Sequence, residues 1–348
     1  MRDGDIVVLR GHEVAGILEG RELEIVDLMG KAYVAHRDGM TSLPHSSFLR
    51  FADSDSNRII ALPAHLGGEF GKAGIKWVSS FPRNVERGLD RASAVLVLNS
   101  TETGRPEAIL EGSVISAKRT AASAALAARA LHEAEETELG LIGCGLINRE
   151  IARFVLAVRP GIRRLVIYDV DGQRAADFKQ KFEYEADGIK VEVEPTIEAV
   201  MKRTRLISLA TTAIKSHISN LDGLNEGSTI LHISLRDLSA ETILACDNVV
   251  DDPDHVCRAQ TSVHLAEQMV GNRSFIRCSL ADVLKGTSPA RRDSSSIVVF
   301  SPFGLGILDV ALGKLVLEEG IKLGKATVID SFLPASWSAS PARGSQKA

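Results

Sequence analysis

The sequence predicts an α/β fold, a doubly wound parallel sheet joined to an α+β unit. Three observations predict it. From Glu138 onward, short apolar runs alternate with helical segments, the rhythm of parallel strands joined by crossover helices. Gly143-Cys-Gly145 stands between the first of these runs and its helix, where a Rossmann-type sheet carries its phosphate turn. Before residue 118, strand-like runs follow one another with tight connections, which suits an antiparallel sheet.

Taken in order, Glu22 to Asp38 carries apolar residues at 25, 28, 29, 32 and 33, a helical stripe. Arg58 to Pro63 is a short strand, and Ala73 to Ser80 and Ala92 to Asn99 are longer ones. Asn99 to Pro106 is a turn punctuated by Gly104 and Pro106, and Pro106 to Glu111 starts another strand. Ser113 to His132 is a long helix with alanines at 117, 121, 122, 124, 125, 127, 128 and 130. Small side chains on several of its faces suit a packed connector between two domains. Strand 139–142, a helix to Val158, strand 164–168, helix 172–185, strand 189–193, helix 196–202 and strand 205–209 then alternate. Short strands fit 229–233, 248–250 and 297–300, and Phe303 to Gly320 is a final helix. The Ser/Ala/Pro-rich tail after Leu333 reads as disordered.

The 348 residues are 45% apolar and 25% charged, with a net charge of −4. This excludes intrinsic disorder and gives no electrostatic reason to expect nucleic acid as a partner. No apolar run reaches the roughly 18 residues of a membrane span, and the start has no signal-peptide core. Cys144, Cys246, Cys257 and Cys278 are scattered, so neither a zinc site nor a redox pair is indicated. A reducing, cytoplasmic compartment is expected.

Gly143 and Gly145 allow a tight turn and close backbone approach to a pyrophosphate. Leu146 and Ile147 open the helix, whose N-terminus offers free N–H groups and partial positive charge. Asp169, 26 positions after Gly143, ends the next strand. A carboxylate there accepts from both ribose hydroxyls and repels a 2′-phosphate, so NAD is expected rather than NADP. The alternative is that Asp169 or Asp171 caps helix 172–185. Asn148 occupies the third glycine position, so it must shift the helix or turn its amide towards the phosphates. Thr211 and Thr212 follow strand 205–209, where a cofactor should lie.

On the substrate side, Lys76 sits between apolar residues in a strand. It is either a solvated lysine or a buried one with a task. Lys118 and Arg119 lie in the first turns of a helix, where positive charge opposes the dipole. This hints at a bound anion, and a guanidinium suits a carboxylate. Asp237 follows strand 229–233, facing the ligand crevice. It is either a general base or a cap for the helix from 239 onward.

Gly74-Ile-Lys-Trp-Val78, Ser93 to Pro106 and Arg119-Thr-Ala-Ala122 resemble the ornithine cyclodeaminase/μ-crystallin family. Gly143-Cys-Gly145, Asp237 and Ser301-Pro-Phe-Gly304 with Asp309 extend the resemblance over roughly residues 20–325. Arg58 to Gly68, Val250-Asp-Asp252 and Cys257 are most similar to a branch that makes 2,3-diaminopropionate. The resemblance implies an NAD-binding domain at 119–314 and a substrate and dimerisation domain from 1–118 plus 315–348. It implies a homodimer, substrate binding by Lys76 and Arg119, acid–base work by Asp237, and Ser301 and Gly304 within the cofactor set. Ser46 departs from the family, which often has a basic residue there; Arg50 or Arg58 would have to replace its charge. Three activities follow from the resemblance. They are oxidative cleavage of N-(1-amino-1-carboxy-2-ethyl)glutamate by NAD, cyclodeamination of ornithine to proline, and a non-catalytic nucleotide-binding role. An imine reductase or alanine dehydrogenase is a further alternative.

Overall fold

The computed structural model describes residues 4–334, so positions 1–3 and the Ser/Ala/Pro-rich tail from 335 lie outside the described residues. The first half holds β1 (Ile6–Leu9), α1 (Gly11–Leu18), α2 (Glu22–Arg37), β2 (Thr41–Ser42), β3 (Ser47–Phe51), β4 (Ser54–Leu66), β5 (Lys72–Ser80), β6 (Ala92–Ser100), β7 (Pro106–Glu111) and α3 (Gly112–Leu131). Strand–helix alternation follows with β8 (Glu138–Ile142), α4 (Leu146–Val158), β9 (Arg164–Tyr168), α5 (Gly172–Glu185), β10 (Lys190–Val193), α6 (Ile197–Arg203) and β11 (Leu206–Leu209). After these come β12 (Thr229–His232), α7 (Ala240–Leu244), β13 (Asp247–Val250), α8 (Pro253–Val256), α9 (Ser262–Val270), β14 (Ile276–Ser279) and α10 (Leu280–Leu284). The chain closes with β15 (Val298–Ser301), α11 (Gly306–Lys322) and β16 (Thr327–Ile329).

The second sheet is parallel throughout, in the order β10-β9-β8-β11-β12-β15-β13-β14. Its direction of growth reverses between β8 and β11, the switch point of a Rossmann-type sheet, where ligands bind outside the strand C-termini. The central strands β11, β12 and β15 are buried along their whole length, as parallel strands covered on both faces must be.

The first sheet is mixed. β4 to β7 form an antiparallel meander, while β1 joins β7 in parallel, in the order β16-β1-β7-β6-β5-β4-β2 with β3 beside β4. Leu62, Lys76, Leu96 and Leu110 stand in register on one face, since side chains alternate along a strand. Helices α2, α3 and α11 pack on that face. The opposite face carries Ile59, Ala61, Ile75, Trp77, Val95 and Val97, and Trp77 keeps 41% of its surface exposed. No helix among the described residues packs on it.

α3 buries Ala121, Ala122, Ala124, Ala125, Ala127 and Ala128 and packs on both α2 and α4. It thus touches the helices of both sheets, and the boundary expected at 118/119 falls inside it. The boundary expected at 314/315 falls inside α11, which packs against β4, β5 and β6 along its length. α11 starts at Gly306 rather than Phe303. The preceding loop is kept out of the helix, with Gly304 at φ +91°, and Asp251 takes the backbone N–H groups of Phe303 and Gly304 at 2.9 and 2.7 Å. Sequence periodicity missed β1, α1, β2, β3, α8, α9, β14, α10 and β16, elements of nine residues or fewer.

Candidate active site

The phosphate turn comes from β8 and α4. Gly143 has φ +93°, and a Cβ there would lie 2.6 Å from the Ala210 carbonyl oxygen. Only glycine fits. Gly145 caps α4 from an extended conformation and borders open space. The N–H groups of Leu146 and Ile147, at the first turn, have no acceptor within the helix. The residues present therefore fit a dinucleotide pyrophosphate. Asn148 does not turn towards it. Its amide nitrogen donates to the carbonyls of Ile142 and Gly143 at 2.9 and 2.7 Å, and its oxygen accepts from Ser208 Oγ at 2.7 Å. This buried amide braces the turn where a third glycine would let the helix press closer.

Asp171, not Asp169, caps α5 by accepting from the N–H groups of Gln173 and Arg174. Asp169 instead accepts from the N–H of Cys144 at 2.7 Å and of Asp171 at 2.9 Å. Its carboxylate is thereby locked beside the glycine turn, with Arg174 Nη1 3.6 Å away.

Asp237 is fully buried between the ends of β11 and β12. Thr211 Oγ1 and Ser234 Oγ donate to its two oxygens, and His217 Nε2 lies 3.0 Å from Oδ1. Burial opposes its ionisation. The charge and hydrogen bonds of His232, with those of Ser234 and Thr211, outweigh burial and hold the carboxyl well below the usual carboxylate range. The cap alternative is settled elsewhere, because Ser239 accepts from Thr242 N–H and caps α7. Thr211 is thus tied to Asp237, and Thr212 beside it is exposed. His217 keeps 35% of its side chain exposed and links the carboxylate to solvent.

Lys76 and Arg119 meet on Asp309. Lys76 Nζ lies 2.9 and 2.8 Å from the two carboxylate oxygens and 3.0 Å from Ser116 Oγ. Arg119 Nε lies 3.0 Å from Asp309 Oδ1. All three are buried, and two cations share one anion. Burial and the Arg119 charge pull Lys76 down to about 8, against the pull of Asp309. Lys76 is therefore not a solvated lysine. Lys118 is not part of the site: it pairs with Glu150 at 3.3 Å over the Phe154 ring.

Gly304 belongs to this cluster. With φ +91°, its missing Cβ leaves room for Arg119 Nη1, which would sit 2.7 Å away. Ser301 is buried, and its hydroxyl faces His232 Nδ1 at 3.2 Å. Both residues, expected in the cofactor set, lie against the Arg119–Asp309 and His232–Asp237 groups. Arg50 and Arg58 are directly opposed across β3 and β4 and do not touch Lys76, Arg119 or Asp309. Asp309, Asp251, His217 and His232 were not expected in these roles. Burial pushes Asp251 up to about 6, against three backbone N–H donors. The available signal was an acidic residue standing alone in an apolar stretch, Asp309 between Leu308 and Val310; Asp251, beside Asp252 and Asp254, carried none.

Residues 9–322 match the ornithine cyclodeaminase/mu-crystallin family. A relative in Staphylococcus aureus, N-((2S)-2-amino-2-carboxyethyl)-L-glutamate dehydrogenase, is 28% identical over 88% of this chain and 93% of its own. The alanine dehydrogenase of Archaeoglobus fulgidus is 28% identical over 94% of this chain and 99% of its own. The structure of an archaeal alanine dehydrogenase dimer with bound NAD superposes with a TM-score of 0.84 at 26% identity, covering 93% and 99% of the two chains. The chain is an oxidoreductase that uses a nicotinamide dinucleotide to act on carbon–nitrogen bonds. With its glycine turn, its buried Lys76–Arg119–Asp309 cluster and its match from residue 9 to 322, the chain belongs to the ornithine cyclodeaminase/mu-crystallin family.

Proposed function

We propose that this enzyme is an NAD-dependent opine-type amino acid dehydrogenase. It would oxidatively cleave N-(1-amino-1-carboxy-2-ethyl)glutamate to 2,3-diaminopropionate and 2-oxoglutarate, with water consumed and NADH formed, supplying a siderophore or antibiotic precursor. The observation that carries this reading is the pair of buried cations on one carboxylate, Lys76 and Arg119 on Asp309. One unmatched positive charge in a covered site favours an anion, and a substrate carboxylate supplies it. The S. aureus relative supports the choice of substrate.

The Gly143–Ile147 turn would hold NAD, which would supply the hydride acceptor for the glutamate Cα. Lys76 and Arg119 hold the substrate carboxylate and so fix the direction of that C–H bond; such positioning lowers barriers by several kcal/mol. Asp237 takes a proton from the water that attacks the resulting imine and returns one to the departing amine. Its carboxylate is covered, so His217 carries the proton between it and the crevice. Residues 119–314 would form the cofactor unit, and 1–118 with 315–348 the substrate and dimerisation unit. The four unpaired cysteines suit a cytoplasmic enzyme.

A second reading, alanine dehydrogenase, is favoured by a relative of equal identity. Turnover with NAD⁺ across a panel of the glutamate adduct, alanine and ornithine tests the choice. The adduct should give the highest kcat/KM, and alanine or ornithine in first place would overturn it.

Three expectations follow from the site. Anion binding needs protonated Lys76, so kcat/KM, which reports the free enzyme, should fall as pH rises through about 8. A profile flat well above that pH would remove Lys76 from the clamp. The wild type should prefer NAD⁺ to NADP⁺, and Asp169→Ala should weaken NAD binding and relax that preference. An NADP⁺ preference in the wild type would reverse the assignment. The open apolar face around Trp77 should pair with that of a second copy, giving a homodimer by light scattering at micromolar concentration. A monomer there would contradict it.

A further inference from the structure

Four arginines gather where the first sheet faces the loop that carries Asp237. Arg50 and Arg58 are direct cross-strand partners, an arrangement that like charges destabilise. Arg58 is paired in turn with Ser80, and Ser80 with Ala92; Arg91 is the next residue, its carbonyl accepting from Phe81 N–H at 2.8 Å just beyond that row, and the charge of Arg58 acts on it. The Nε of Arg91 is buried and bonded to nothing among the described residues. Arg236 approaches from the second sheet, one residue before Asp237, and is anchored by donating to the Ala259 carbonyl at 2.6 Å.

Among the described residues, no carboxylate forms an ion pair with Arg50, Arg58, Arg91 or Arg236. Burial, and then the charges of Arg58 and Arg50, pull Arg236 down, with Asp237 pulling the other way. Burial and Arg58 do the same to Arg91. Asp237 already serves Thr211, Ser234 and His217. The cluster therefore carries more positive charge than Asp237, the one carboxylate acting on Arg236, offsets.

Its position is set by the pleat. Arg50, Arg58, Leu62 and Lys76 share one face of the first sheet, because Arg58 pairs with Arg50 and Leu62 with Lys76. Arg58 is four residues along β4 from Leu62, about 13 Å at about 3.3 Å per residue. Two positive centres on one face, that far apart, suit a molecule with anionic groups at both ends. A small amino acid with a single carboxylate reaches one of them.

We propose that Arg58, Arg91 and Arg236, with Arg50 at the rim, form a second carboxylate subsite that selects acyclic substrates bearing a carboxylate remote from the reacting carbon. This rests on the reading of Lys76 and Arg119 as the first carboxylate clamp. These arginines determine specificity and are separate from the acid–base groups.

The test compares wild type with Arg58→Gln, Arg236→Gln and the charge-keeping Arg58→Lys. Kinetics use N-(1-amino-1-carboxy-2-ethyl)glutamate and its side-chain carboxamide analogue. Losing a charge-assisted hydrogen bond should lower kcat/KM for the acid by about 10–100-fold and leave the amide within about twofold. Arg58→Lys should recover part of the loss. Equal losses on both substrates would make the arginines merely structural and overturn the proposal. Titration calorimetry with 2-oxoglutarate and pyruvate reads the subsite without turnover. The glutamine variants should weaken 2-oxoglutarate by about 10-fold or more and spare pyruvate. That result would uphold the subsite even if the adduct proved not to be the substrate, and equal weakening of the two ligands would overturn it.

Discussion

Asp237→Asn is expected to lower kcat by about 10²–10⁴-fold, the range for losing a general base, with NAD affinity nearly unchanged. Water attack on an imine needs a proton acceptor, and the departing amine needs a donor. Asp237 is ionised, buried, and tied to the ends of β11 and β12 through Thr211 and Ser234. Asparagine keeps its size and can still bond the two hydroxyls, so folding should survive while proton acceptance is lost. His217→Ala should reproduce part of the kcat loss, and added imidazole should restore some of it, because His217 is the exposed partner. Turnover that stays near normal in Asp237→Asn, with stability lost instead, would make Asp237 a structural anchor and put the base elsewhere.

Asp309→Asn is expected to be the most damaging change to stability. Asp309 is fully buried and compensates both Lys76 and Arg119. Neutralising it leaves two buried cations without an anion, and breaking a buried pair this way costs about 3–5 kcal/mol. Losing its charge should also pull Lys76 further down, since Asp309 is what raises it. Denaturant unfolding checks the first effect. Substrate at saturation should rescue part of the loss, because its carboxylate replaces the missing charge. A variant as stable as the wild type would mean that the cations do not depend on Asp309.

What could be read from the sequence was local chemistry. The strand, glycine turn and helix around Gly143 are contiguous, so their spacing carried the dinucleotide site. Lys76 and Arg119 stood out because each is a charge in an unfavourable place. The residue that explains them did not, since Asp309 is 233 positions from Lys76 and 190 from Arg119. Asp169 and Asp171 were equivalent as cap candidates until backbone geometry divided their roles. Asn148 looked like a misfit in a glycine motif because its partners, the Ile142 and Gly143 carbonyls and Ser208, are chosen by the turn itself. His217 sits in a loop without periodicity, so only folding brings it to Asp237. Ser301 and Gly304 were legible as a motif but not in their contacts, because those depend on how β15 meets α3 and β12.

Oxidative cleavage of an amino-acid adduct, rather than deamination, is the central claim. The most direct measurement follows NADH, 2-oxoglutarate and ammonia together in one reaction with NAD⁺ and N-(1-amino-1-carboxy-2-ethyl)glutamate. Opine-type cleavage predicts NADH and 2-oxoglutarate in equal amounts, 2,3-diaminopropionate as the other product, and no ammonia. Ammonia release, or no NADH at all with this adduct while alanine or ornithine is turned over, would contradict it.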